Sequence, residues 1–210
     1  MVLVSLVAAA PPAPVVYFDP SFEAALSDPE AVLSRERVPI AVAGGATIHD
    51  CRGLAEHASE LAALREDRRF TDYAICFAVE AIAHAQPPAR GVAGEAANNP
   101  ATTLRARLDL ASFASSLRPR LPRGKAPLTP AQSGLKFITP TRRSLSLADP
   151  DWVFRIDVLA AADFDHRGGT QWMAHIADRA KQGSYFAAGY LIIDGVDAAG
   201  VMRARWLDGR

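Results

Sequence analysis

Trp152-Val153-Phe154-Arg155-Ile156-Asp157-Val158-Leu159 is the best-patterned stretch of this chain and sets its fold class. Trp152, Phe154, Ile156 and Val158 alternate with Val153, Arg155, Asp157 and Leu159, the two-residue period of a strand with its bulky face buried. Downstream, residues 163–169 have the Asp and Gly content of a loop. Thr170 then opens an expected helix through about Lys181, ended by Gly183. Residues 185–193 read as a strand containing Gly189, and Asp194-Gly195 turns the chain into a last strand over 201–207.

Upstream, Val15-Val16-Tyr17-Phe18 reads as a strand stopped by Asp19-Pro20, and Ser21 caps a short helix that Pro29 restarts. Residues 38–43 form an expected strand ended by Gly44-Gly45. Leu54, Ala58, Leu61 and Leu64 recur at helical spacing over 50–66, and residues 71–85 form a helix that is apolar nearly all round. Beyond Pro87-Pro88 and a Gly- and Asn-rich loop, a helix over 102–117 carries Leu104, Leu108, Leu110, Phe113 and Leu117, with Arg105 and Arg107 outward. Arg118-Pro119-Arg120-Leu121-Pro122-Arg123-Gly124-Lys125 has no period for regular structure and reads as an extended arm. A short strand follows at 135–139.

These elements predict an α+β fold with a mixed sheet, the helices of residues 50–117 packed mainly on one face, and a Pro/Arg-rich excursion. The whole chain, 1–210, is expected to form one α+β domain, with 86–147 as a basic, loop-rich excursion within it. The bulky face of 152–158 is expected to share a core with the helix over 71–85. Half of the 210 residues are apolar, which excludes a disordered chain, and no sustained period supports a coiled coil or a collagen-like chain. No run reaches the ~18 apolar residues of a membrane span, so no membrane partner is expected. Residues 1–13 read either as a buried first strand or as a signal segment that lacks the positive leading charges. Cys51 and Cys76 make neither a disulfide framework nor a zinc-type spacing, and are read as reduced thiols in a cytoplasmic protein.

Net charge is zero, yet it is unevenly spread. Residues 86–147 hold ten Lys/Arg against two acids, whereas 1–85 hold six against twelve and 148–210 seven against nine. A basic segment set against an acidic body can present a local positive field. Arg118, Arg120, Arg123, Lys125, Arg142 and Arg143 are therefore the candidate anion-binding residues, since guanidinium forks match phosphate and carboxylate geometry. Few aromatics are interleaved with them, and no nucleic-acid-binding signature is present.

Two strand–glycine–helix junctions are the candidate sites for chemistry. In Gly44–Arg52, Cys51 at a helix start with His49 beside it is the candidate nucleophile and base, and a capping Asp50 with a structural Cys51 is the simpler assignment. In Asp163–Thr170, Asp163, Asp165 and His166 are candidate metal ligands, with His166 also a candidate catalytic group and Asp157 projecting nearby. The simpler assignment is turn and cap chemistry. Asp72, Cys76, Glu80 and His84 fall four apart on one helix stripe, but a metal bundle needs a second such helix. The leading reading is a non-catalytic binding or assembly subunit whose basic middle docks on an anionic partner, either a nucleic acid backbone or an acidic protein surface, including that of a second copy in a homo-oligomer. The alternative is a small enzyme with a metal-assisted or cysteine-nucleophile site. The sequence names no cofactor.

Overall fold

The computed structural model describes residues 15–64, 68–88, 98–117, 119, 121, 127–138, 141–196 and 200–208. In chain order the elements are β1 (Val16–Tyr17), α1 (Pro20–Ala25), α2 (Pro29–Ser34), β2 (Ile40–Ala41), β3 (Thr47–Ile48), α3 (Cys51–Glu56), α4 (Leu61–Leu64), α5 (Ala74–His84), α6 (Pro100–Arg107), β4 (Leu108–Asp109), β5 (Lys136–Ile138), β6 (Ser144–Ala148), β7 (Trp152–Ala162), β8 (Gln171–Ala180), β9 (Phe186–Asp194) and β10 (Met202–Trp206). The strand expected over the first ten residues lies outside the described residues.

β7 through β10 form an antiparallel meander, and the sheet runs β4-β10-β9-β8-β7-β6-β5. The first half of β7 pairs with β6 and its second half with β1, while β8 flanks it along its length. One pairing, β4 with β10, is parallel, so the sheet is mixed. β2 and β3 make a separate small hairpin. The α+β expectation is met at this level.

Two cores sandwich the sheet. On one face Phe154, Ile156 and Val158 of β7 pack with Trp172, Ala174 and Ile176 of β8, Leu191 and Ile193 of β9, and Leu104, Leu110, Phe113, Leu117 and Leu128. On the other, Leu159, Ala160 and Ala162 meet Met173, Ile192, Phe22 and the α5 residues Ala78 and Val79. A bulge between Val158 and Ala160 adds one residue to β7, so Leu159 and Ala160 both serve the second face. The bulky stripe of β7 thus packs under α6 and the segment after it. α5 covers the opposite face together with α1 and α2, which corrects the shared-core expectation, while α6 lies on the bulky face.

Residues 171–180 are a strand rather than the expected helix. Trp172, Met173 and Ala174 are each fully buried against one core or the other. A strand covered on both faces loses its polar alternation and reads as an apolar run. The expected helix over 102–117 stops at Arg107, because Leu108 and Asp109 pair with β10 and the Asp109 carboxylate accepts from the amides of Ala111 (3.0 Å) and Leu128 (3.2 Å). The helix over 50–66 is broken into α3, a 3-10 turn at Ala58–Glu60, and α4.

The basic segment is more integrated than an excursion. β6, which the sequence reading passed over, buries Leu145 and Leu147 at the centre of the first core, and α6, β4 and β5 also belong to the described part of 86–147. Arg107 fastens α6 to the β9–β10 turn by donating to the carbonyls of Gly195 (2.6 Å), Gly200 (2.8 Å) and Val196 (3.4 Å). Gly195 sits at φ 81°, and a Cβ there would stand 3.2 Å from the Val201 carbonyl oxygen. Only glycine fits that turn without strain.

Candidate anion-binding cleft and a polar row across the sheet

The two glycine junctions do not form one site. Cys51 is bonded to Cys76, with Cα atoms 5.3 Å apart, so neither sulfur is a thiol and the reading of two reduced cysteines is corrected. A thiolate nucleophile has no place at Cys51. Asp50 caps α3 by accepting from the Gly53 amide at 2.8 Å, and His49 lies outside the helix. Cys76 and His84 are eight residues apart on α5, about 12 Å along its axis. The first junction is tied to the helix at Cys76; the second is tied at its C-terminal end, where His166 Nε2 donates to the His84 carbonyl at 2.6 Å.

Within the second junction the carboxylates organise backbone. Asp163 pairs with Gln86 through main-chain bonds in both directions, and its side chain accepts from the amides of Gly168 (2.6 Å) and Arg167 (3.1 Å). Burial alone would raise the Asp163 pKa, but those amides, the Asp165 side chain and the His166 amide outweigh it and hold the carboxyl below its ordinary value. Asp165 accepts from the Arg167 amide at 3.3 Å, with the Arg167 guanidinium at 3.6 Å. The Gln171 side-chain carbonyl takes the amides of Phe164 and Asp165. Among the described residues, no group of three or more His, Cys, Asp or Glu is arranged to hold a metal ion, whether at Asp163, Asp165 and His166 or along the α5 stripe.

The arginines divide by what they touch. Arg105 lies over the Phe137 ring at 4.1 Å, and Arg107 is spent on the turn described above. Arg143 donates to the Phe18 carbonyl and to the Asp19 carboxylate, both at 3.0 Å, which anchors the start of β6 to the chain after β1. Its neighbour Arg142 is exposed. Together they line a cleft of about 490 Å³ with Phe18, Asn98, Pro100 and Thr141, at the N-terminal end of α6. The Ala101 amide of that helix donates to the Arg142 carbonyl at 3.1 Å, fixing the backbone beneath the guanidinium. Arg118, Arg120, Arg123 and Lys125 lie outside the described residues.

Sequence reading missed one polar arrangement. Strand register places Ser144, Asp157, His175 and Tyr190 side by side across β6, β7, β8 and β9. The Ser144 hydroxyl donates to Asp157, whose oxygens also take the Arg155 guanidinium at 2.9 and 2.8 Å. The His175 and Tyr190 rings meet edge-on at 5.4 Å. Burial holds the His175 imidazole below its ordinary value, with Asp157 pulling the other way and Arg155 adding to the depression; burial also pushes Tyr190 up to about 12. The row sets the His175 imidazole, whose charged form burial disfavours, between a carboxylate that is already paired and the Tyr190 ring, and it knits four strands. Asp157, on the polar side of the alternating stretch, was the available signal. The rest was hidden by reading β8 as a helix.

Comparisons with protein-family models, with curated proteins and with solved structures find no match to this chain.

Proposed function

We propose that this chain is a non-catalytic binding subunit that docks a phosphate-bearing polyanion, such as a nucleic acid backbone, at the Arg142–Arg143 cleft, with the basic stretch 118–125 extending the contact. The observation that carries this reading is the cleft itself. Arg143 is held in place by Asp19 and Phe18, so the pair presents one anchored and one outward guanidinium beside the polar side chains of Asn98 and Thr141. A pre-positioned guanidinium loses less freedom on meeting an oxyanion than a free side chain would. The two candidate sites for catalysis, by contrast, have their reactive atoms engaged: Cys51 in a crosslink and Asp163 by backbone amides.

The test is titration of a fluorescently labelled single strand and duplex with the purified chain, followed by anisotropy, beside Arg142→Gln. Phosphate contacts predict binding that ignores base sequence and weakens several-fold in the variant. Binding of polyglutamate with no binding of either oligonucleotide would instead assign the cleft to an acidic protein surface, including the acidic flank of a second copy.

A further inference from the structure

The lobe that carries the first glycine junction has a core of its own, made of Ile40, Ile48, Cys51, Leu54, Leu64, Phe70, Tyr73 and Cys76. Its regular structure is slight: two strands of two residues, a six-residue α3 and a four-residue α4. Elements this short are not stable alone. What fastens them to α2, to the 3-10 segment Arg68–Tyr73 that leads into α5, and to α5 itself is a small set of ties. The Tyr73 hydroxyl lies 2.9 and 3.0 Å from the carbonyl oxygens of Ile48 and Val38, the Arg69 guanidinium donates to the Pro39 carbonyl at 2.7 Å, and Arg37 donates to the carbonyls of Val32 and Asp72. The single covalent tie is Cys51–Cys76, with both residues buried and no other cysteine in the sequence.

We propose that the fold of this lobe is completed by oxidation, that the protein matures in a compartment that oxidises thiols, and that the lobe loosens when the crosslink is reduced. The cytoplasmic expectation rested on two reduced thiols, and that premise is gone; paired cysteines are the state of oxidising compartments. The chemistry is thiol–disulfide exchange. The two thiols give up two protons and two electrons as the S–S bond forms, and the electrons reduce the disulfide of a partner oxidoreductase to its dithiol. The crosslink closes a 25-residue separation and removes that freedom from the unfolded chain. The anion cleft is built from the start of α6, the chain just before β6 and the chain after β1, so this proposal and the cleft stand or fall separately.

The experiment is alkylation of the full chain taken from the cells that make it, denatured without reductant and then again after reduction, read by mass spectrometry. No adduct before reduction and one on each of Cys51 and Cys76 after it is the expected result. Two adducts before reduction would overturn the proposal. In parallel, adding reductant to the folded protein should lower its melting midpoint by roughly 5–10 °C and open new protease cuts within residues 37–64, as should Cys51→Ser/Cys76→Ser without reductant. An unchanged midpoint and unchanged cutting on reduction of the folded protein would contradict it even if the double variant failed to fold.

Discussion

Phe154 and His175 show how single side chains set stability here. Phe154 is 1% exposed in the first core, so Phe154→Ala removes a ring from a packed interior and should cost about 3–5 kcal/mol by denaturant unfolding. A loss below about 1 kcal/mol would mean that this core can collapse around the gap. His175 works through protonation. Because burial depresses its pKa below the ordinary 6.5, the unfolded chain binds a proton that the folded chain resists as pH falls. Its contribution is therefore complete above 6.5 and is lost as pH drops through the lower, folded value. Melting midpoints measured from about pH 7 down to pH 5 should fall, and His175→Gln should flatten that fall. An identical slope in the variant would assign the acid sensitivity to other groups.

At the scale of elements, Arg107 offers the sharpest test, because one guanidinium spans the three carbonyls of the β9–β10 turn. Arg107→Met keeps the stem and removes the donors, and should cost about 1.5–3 kcal/mol, with faster amide exchange around Gly195 and Met202. What the sequence disclosed at this scale follows from how each element is buried. β7 and β10 alternate because one residue set is larger or more buried than the other, and α5 shows its apolar run, so all three were legible. β8 was not, since both its faces are covered and its neighbours are small or aromatic. β6 was hidden inside a stretch dominated by arginines, although Leu145 and Leu147 alternate with serines. The disulfide was invisible for another reason: only the packing of α3 against α5 brings Cys51 to Cys76. The arginines of the basic segment split the same way, with Arg105 and Arg107, expected simply to face outward, taken up by Phe137 and a turn that lie far off in sequence.

For the whole molecule, the charge pattern is the feature that links sequence to proposed function. An acidic first third and a basic middle meet in space where Asp19 pairs with Arg143, so part of the opposite charge is consumed in holding β1 to the sheet. Arg142, exposed beside that pair, is what remains for a partner at the cleft, and the expectation for Arg118, Arg120, Arg123 and Lys125 is that they add to it. Long-range attraction of this kind is screened by salt over about 10 Å at 0.1 M. Electrostatic docking at the cleft is probed most sharply by the salt dependence of oligonucleotide affinity between about 50 and 200 mM salt. The chain should lose affinity steeply and linearly on logarithmic axes, and replacing Arg118, Arg120, Arg123, Lys125 and Arg142 with Gln should flatten the slope by roughly one for each phosphate contact removed. Affinity that is independent of salt, or a slope unchanged by the five substitutions, would contradict it.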